Sequence, residues 1–387
     1  MAKESSNWGL STRCVHAGTF EDTMAGGVNT PIFASSAFQV PGPTGRVVYP
    51  RYQNIPGQVA VAQKIAALEN AQAGIVVSSG MAAISSIFLA FCQTGDHVVL
   101  QSDLYGGTLG LAQRDLPRRG IDVSWVDSHR IEEFEAALRP KTRLIYVETP
   151  SNPLMKILDL EALARMAQAR GVLTVVDNTF ATPINQNPLD LGIDIVVHSG
   201  TKYLNGHSDL CCGALACRST LMETIAPVIS LYGPSLSPYD CFLLERGLKT
   251  LALRMARHNQ NAMAVASYLA QDSRVARVYY PGLTDHPKHA IAARQMRGFG
   301  GMLSFEPKGN AETAHRVMER FTLFKPAVSL GGVESLACFP VETSHASVPP
   351  NQREKMGIRD NLIRLSVGIE DTEDLLKDLD RALQATV

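Results

Sequence analysis

An acid and a lysine follow two successive apolar runs in the middle of the chain. Residues 173–176 end on Asp177, followed by Asn178 and Thr179. Residues 193–197 end on His198-Ser199-Gly200-Thr201-Lys202. If both runs are strands of one open parallel sheet, their carboxyl ends open onto one crevice, where such sheets bind ligands. Opposite charges there can be a plain salt bridge. They are also what pyridoxal phosphate needs: a lysine to form an imine, and an acid to keep the pyridine nitrogen protonated so that the ring withdraws electrons.

A phosphate site fits the same reading. Ser78-Ser79-Gly80-Met81 lies between an apolar run and a helical pattern, and small residues let backbone N–H groups at a helix N-terminus approach a phosphate. Taken singly, Ser79-Gly80 is equally an ordinary helix cap. Ser199 and Thr201 flank the lysine and can add hydroxyl donors. Tyr105-Gly106-Gly107 places an aromatic ring where it can stack on a flat cofactor, or simply pack in a loop.

The elements that must position these residues follow from periodicity. Residues 59–71, 80–92 and 160–169 repeat apolar positions at helical spacing. Residues 75–78, 97–101, 123–126, 144–147, 173–176 and 193–197 read as short buried strands. Their alternation with helices predicts a parallel sheet covered on both faces. A long helical stretch, 238–270, leads to a smaller C-terminal unit of strand, helix, strand, helix that closes with a helix over 372–385. The first 57 residues lack periodicity and read as an irregular arm packing on a partner.

Composition bounds the rest. The chain has 387 residues, of which 45% are hydrophobic. It exceeds the roughly 250–300 residues at which a single core stops growing, so two domains are expected. A net charge of -1 without long charged runs argues against nucleic acid and anionic membranes. No apolar run resembles a signal peptide near residues 1–10 or a membrane span elsewhere. Seven scattered cysteines suit buried free thiols in a reducing cytoplasm better than a disulfide or zinc framework. His286 and His289 flank Pro287 in a polar turn with no third ligand in sequence, so no metal is expected. A nicotinamide enzyme would need Gly-x-Gly-x-x-Gly opening a helix. The nearest run, Gly298-Phe299-Gly300-Gly301, precedes a strand.

From about Thr12 onward the chain resembles the cysteine and methionine metabolism family of pyridoxal-phosphate enzymes, which includes cystathionine gamma-synthase, the cystathionine lyases and methionine gamma-lyase. The resemblance is carried by Ser79-Gly80-Met81-Ala82, Tyr105-Gly106-Gly107-Thr108, Glu148-Thr149-Pro150-Ser151-Asn152-Pro153, Val176-Asp177-Asn178-Thr179 and His198-Ser199-Gly200-Thr201-Lys202-Tyr203. It continues through Leu248-Lys249-Thr250, Ser329-Leu330-Gly331-Gly332 and residues 363–368.

The resemblance implies a fold-type I α/β architecture: an N-terminal intersubunit arm (1–57), a large cofactor domain with a mostly parallel sheet (58–250), and a smaller α/β domain (251–387). It implies that Lys202 forms the imine and later moves the substrate proton, with Tyr105 stacking on the ring and assisting. Asp177 would pair with the ring nitrogen, with Thr179 beside it. Gly80, Met81, Ser199 and Thr201 would hold the phosphate. Tyr49 and Arg51 would reach the phosphate of a neighbouring subunit in a homotetramer of dimers. Asn152, Ser329 and Arg364 would bind the substrate carboxylate. The implied reaction is carbon–sulfur lysis of a sulfur amino acid by beta- or gamma-elimination, with gamma-replacement as the alternative.

This sequence departs from the family pattern at several places. Pro50 stands between Tyr49 and Arg51 where the family has Ser. Val48 and Val328 stand where cystathionine gamma-enzymes often carry acids, which favours a less polar side chain or a beta-lyase. Gly107 stands where methionine gamma-lyases commonly have Cys.

Overall fold

The computed structural model describes residues 7–43, 45–127, 130–346 and 348–386. Residues 1–6, the start of the segment read for a signal peptide, lie outside them.

Five strands run parallel: β2 (His97–Gln101), β3 (Asp122–Val126), β4 (Thr142–Glu148), β5 (Leu173–Asp177) and β6 (Ile195–Ser199). With β1 (Ala73–Val77) and β7 (Gly213–Cys217) they form one sheet in the order β1-β7-β6-β5-β4-β2-β3. β7 runs antiparallel to both of its neighbours, so the sheet is mostly parallel, as expected. Its sequence, Gly-Ala-Leu-Ala-Cys, is completely buried yet built from residues with little β preference, so periodicity does not reveal it.

Both sheet faces are covered. Val77, Leu100, Tyr146, Val175 and Val197 pack under Ile84, Ile87 and Phe88 of the helix Gly80–Phe91 and under Ile225. Val99, Ile145, Val147 and Val176 pack on the opposite side against Leu160 and Leu163. Strands sandwiched in this way read as unbroken apolar runs. The first polar residue after each run therefore marks where the strand leaves the core.

The first 57 residues are not wholly irregular. Leu10–His16 forms a helix whose last carbonyls, Cys14 and Val15, both accept hydrogen bonds from Lys64 Nζ at 3.1 Å. Lys64 is fully buried on the helix Pro56–Leu68. With only Cys14 buried, the short helix leaves no periodic trace in the sequence.

The expected long helix over 238–270 is two helices, Pro238–Lys249 and Leu251–Gln271, broken at Thr250. Buried Arg254 fills the break. It donates to the Gly247 carbonyl at 2.8 Å and to the Tyr203 and Leu204 carbonyls at 2.7 and 3.2 Å. The interruption thus ties the helix pair to the backbone directly after Lys202.

A second sheet follows, in the order β10 (Lys325–Pro326), β11 (Leu336–Cys338), β12 (Ile363–Ser366), β9 (Met302–Pro307), β8 (Val275–Tyr279). It is antiparallel except for the β10–β11 pair. The final helix stops at Leu383 and ends in a 3₁₀ turn over Gln384–Thr386. All seven cysteines are free; Cys211 is exposed and Cys92 half-buried, so the reading of every thiol as buried fails for these two.

Candidate active site

The site gathers where β4, β5 and β6 end. Glu148 and Asp177 are Cα partners across β4–β5, and Asp177 and Val197 across β5–β6. Asp177 is buried. Its Oδ1 accepts from the Thr179 backbone N–H at 3.0 Å and hydroxyl at 2.5 Å, and its Oδ2 from the Tyr146 hydroxyl at 3.4 Å. Burial pushes the Asp177 carboxyl up, while the Thr179 bonds and His198 pull it down. The Thr179 oxygen also accepts from the Ser199 N–H at 2.9 Å, locking the end of β6 to the end of β5.

Ser199 lies against the start of the helix Gly80–Phe91. A Cβ on Gly80 would sit 2.9 Å from Ser199 Cβ and 3.1 Å from its Oγ, so only glycine fits there. Ser79 caps the helix by accepting from the Ala82 N–H at 3.0 Å. The first-turn N–H groups of Gly80 and Met81 remain for a ligand. The Ser199 hydroxyl makes no hydrogen bond among the described residues. Thr201 differs: its hydroxyl donates to the Cys212 carbonyl at 3.2 Å and accepts from the Cys212 N–H at 3.0 Å. A hydroxyl has one proton to give, and here the protein takes it.

Lys202 makes no ion pair with Asp177 among the described residues, so the salt-bridge alternative does not hold. Its Nζ donates to Ser329 Oγ at 2.6 Å. Burial, and then the Arg364 charge, lower its pKa to about 8. Lys64 is also pushed down to about 8, by burial, so the shift alone does not single out Lys202; the company it keeps does. Ser329 has a left-handed backbone, φ 79°, rare for a residue with a side chain and frequent at functional sites. Its carbonyl accepts from Arg364 Nη2 at 3.0 Å, and Asn152 Oδ1 accepts from Arg364 Nη1 at 3.0 Å. Arg364 and Asn152 are both buried, and Arg364 Nε is buried without a partner among the described residues.

Glu148 closes the circuit. Its Oε1 accepts from the Asn152 N–H at 3.1 Å and its Oε2 from the Tyr105 N–H at 3.0 Å. The Tyr105 side is half exposed (48%). A Cβ on Gly107 would fall 2.5 Å from Tyr105 Cε1 and 2.8 Å from Met81 Sδ, so the ring lies beside the start of the first-turn phosphate cradle. A run of contacts thus joins Lys202, Ser329, Arg364, Asn152, Glu148, Tyr105, Met81, Gly80, Ser199, Thr179 and Asp177.

Tyr49 and Arg51 take no part in that run. Arg51 Nη1 donates to the Ser230 carbonyl at 2.6 Å, between the rings of Tyr49 and Tyr52. Sequence reasoning missed the part played by Glu148, although the rule that found Asp177, an acid ending an apolar strand, applies to it equally. His286 and His289 are half-buried rather than solvated, and His289 Nδ1 bonds the Pro281 carbonyl at 2.8 Å. No cluster of three or more metal-ligating side chains occurs among the described residues.

A buried acid, a lysine of lowered pKa and a glycine-opened helix N-terminus with a spare hydroxyl suit pyridoxal phosphate in ring, aldehyde and phosphate, which marks the class as a pyridoxal-phosphate enzyme. The chain belongs to the Cys/Met metabolism PLP-dependent enzyme family, whose model matches residues 11–384. It is 46% identical over 379 residues to a cystathionine beta-lyase of Coxiella burnetii, covering 97% of each chain. It is 46% identical to a cystathionine gamma-lyase of Bacillus subtilis, covering 96% of this chain and 98% of that one. The solved structure of cystathionine gamma-lyase from Lactobacillus plantarum, complexed with L-serine, superposes with a TM-score of 0.94 at 41% identity, covering 98% of this chain and 99% of that one.

Proposed function

We propose that this enzyme is a carbon–sulfur lyase that eliminates a thiol from a sulfur amino acid and releases ammonia and a 2-oxo acid. One observation carries the reading of the site: Ser329 is gripped by both Lys202 Nζ, through its hydroxyl, and Arg364 Nη2, through its carbonyl. An amine and a guanidinium one residue apart match the amino and carboxylate ends of an α-amino acid. The relatives named as beta- and gamma-lyases supply the class of bond.

Bound pyridoxal phosphate supplies an electron sink for the carbon beside the substrate carboxylate. Lys202 would anchor the cofactor, and its neutral amine would take the α proton of the substrate. Asp177 holds a proton on the ring nitrogen, braced by Thr179. Gly80, Met81 and Ser199 bind the phosphate; Thr201 shapes that loop through Cys212. Tyr105 would cover the ring and, with Lys202, would handle the second proton that gamma-elimination requires. Arg364 and Asn152 orient the carboxylate. Tyr49 and Arg51 serve the phosphate of a neighbouring subunit, which the arm 1–57 reaches in a homotetramer; residues 58–250 and 251–387 form the cofactor and C-terminal domains. The unpaired thiols support a cytoplasmic location.

The pKa of Lys202 gives a direct expectation. A lysine attacks an aldehyde only as the free amine, and a lowered pKa releases that amine at lower pH. The rate at which apoenzyme takes up pyridoxal phosphate, followed by imine absorbance, should rise through pH about 8 and then level off. A midpoint near the ordinary lysine value would contradict the buried, Arg364-flanked amine.

The reaction is tested by incubating holoenzyme separately with methionine, cystathionine, homocysteine, cysteine and O-acetylhomoserine and identifying the keto acid. At least one sulfur amino acid should give a thiol with a 2-oxo acid: pyruvate from cystathionine for beta-elimination, 2-oxobutyrate for gamma-elimination. Cystathionine made from the ester plus cysteine, with no keto acid from any sulfur amino acid, would overturn the lyase reading in favour of gamma-replacement.

A further inference from the structure

A cavity of about 600 Å³ lies between the segment after β4 and the outer strand β8, and the proposed chemistry does not use it. Its size is that of a small-molecule site. Leu154, Ile157 and Val278 give it apolar walls, and four cations line it, Lys156, Arg277, Lys288 and Arg359, against one acid, Asp285. Two of the four are answered from behind the wall, Lys156 by Asp103 at 2.6 Å and Arg359 by Glu306 at 3.0 Å. Glu306 is the cross-strand partner of Arg277, but it also holds the Tyr279 hydroxyl at 2.6 Å. Arg277 and Lys288 make no ion pair among the described residues; the Arg277 guanidinium lies over the Tyr279 ring, 4.9 Å from its centre. An apolar chamber with cations that lack an acid suits an anion with an apolar body.

Both walls of the cavity lead to the Asn152–Arg364 contact. On one side, the Ser151 N–H donates to the Lys156 carbonyl at 3.0 Å and the Met155 N–H to the Ser151 carbonyl at 2.9 Å, so Lys156 closes the turn that carries Asn152. On the other, Tyr279 of β8 is the Cα partner of Ser304 on β9, and Ser304 is the Cα partner of Arg364 on β12. The Ser304 hydroxyl donates to the Pro153 carbonyl at 2.7 Å, which pins this rung of the sheet to the turn. Cavity and contact thus lie between the same turn and the same rung, and Asn152 Oδ1 meets Arg364 Nη1 at 3.0 Å where the two close. An anion set between walls of positive charge draws them together.

We propose that this cavity binds an organic anion with an apolar body, and that the bound anion tightens the grip of Asn152 and Arg364 on the substrate. The site stands on the cavity alone; the effect rests on the reading of Asn152 and Arg364 as the carboxylate binders. The charge of the ligand sits against Arg277 and Lys288, the cations without an acid of their own, and its body against Leu154, Ile157 and Val278. Phosphate esters and carboxylates share that chemistry. A plainer role for Arg277 and Lys288, charges that keep an outer strand from pairing with other chains, predicts no binding at all.

The test titrates holoenzyme calorimetrically with α-naphthyl phosphate, α-naphthoate and α-naphthylmethanol, which share a body and differ in charge. Both anions should bind about tenfold or more tighter than the alcohol, and the tighter of them identifies the head group. Imine absorbance should stay constant, which keeps the cofactor's own phosphate site out of the titration. The double variant Arg277→Ala with Lys288→Ala should bind both anions about tenfold or more weakly and keep the wild-type KM. At saturating anion, the wild-type KM for a sulfur amino acid should fall about fivefold with kcat changed less than about twofold, because Lys202 and Asp177 belong to neither wall. No binding, equal binding of the alcohol, or undiminished binding in the double variant would overturn the site. A raised KM would put the anion at Arg364 itself and overturn it equally. Binding with KM unmoved would overturn the coupling. A wild-type KM in Asn152→Ala would instead overturn the reading of Asn152 on which the coupling rests.

Discussion

Replacing Lys202 with Ala is expected to abolish the imine absorbance of the holoenzyme and to lower turnover by about 10³-fold or more. The magnitude follows from the two tasks proposed for one amine, anchoring the cofactor and moving the substrate proton. No other group near it can take both. Tyr105 is half exposed and carries no amine, and Asp177 is buried beneath its own donors. Lys64 is the instructive contrast. Its pKa is lowered to the same degree, but its Nζ is consumed by the Cys14 and Val15 carbonyls, a structural cap remote from the strand ends. Among the described residues Lys202 has instead a single hydroxyl partner, Ser329, on a backbone turned into the left-handed region. A serine hydroxyl gives up an amine far more cheaply than two fixed carbonyls do, so Lys202 is free to swing toward a ligand. A fall below about tenfold, or a retained imine band in the Lys202→Ala protein, would remove Lys202 from the mechanism.

That Lys202 and Asp177 could be found in the sequence has a physical cause. Strands buried on both faces are unbroken apolar runs, so the polar residues that follow each run stand at the sheet edge where ligands bind. The same rule gives Glu148, whose two accepted N–H bonds place Tyr105 and Asn152. What joins distant segments was not legible. Glu69 and His198 are 129 residues apart, and nothing in either neighbourhood announces the other. The break at Thr250 depends on Arg254 reaching carbonyls about 50 residues upstream, so the helical pattern runs through it uninterrupted. Thr201 looked equivalent to Ser199 because both carry hydroxyls. Only the turn that brings Cys212 back against it shows that its proton is already given away. β7 escaped notice because a strand of glycine, alanine and cysteine owes its place to neighbours on both sides rather than to its own preference.

The second large effect is expected at Arg364. Two of its nitrogens are held by Asn152 Oδ1 and the Ser329 carbonyl, which fixes the plane of the fork while Nε stays unpaired. A carboxylate met by such a fork gains two charge-assisted hydrogen bonds, each worth about 1.5–3 kcal/mol. Arg364→Lys keeps the charge but loses the plane, and kcat/KM should fall about 100-fold or more, with KM moving further than kcat. Arg364→Met removes the charge as well and makes a second, independent prediction. The Arg364 cation is one of the causes holding the Lys202 pKa down, so its loss favours the ammonium form of Lys202. The pH midpoint for cofactor uptake should therefore move up from about 8 in Arg364→Met and stay nearer to it in Arg364→Lys. Were the midpoint unchanged in Arg364→Met, the two groups would not share a site. Were KM unchanged in Arg364→Lys, the guanidinium would not be the carboxylate's partner. The paired outcome separates substrate binding from tuning of the lysine, the two roles proposed for one guanidinium.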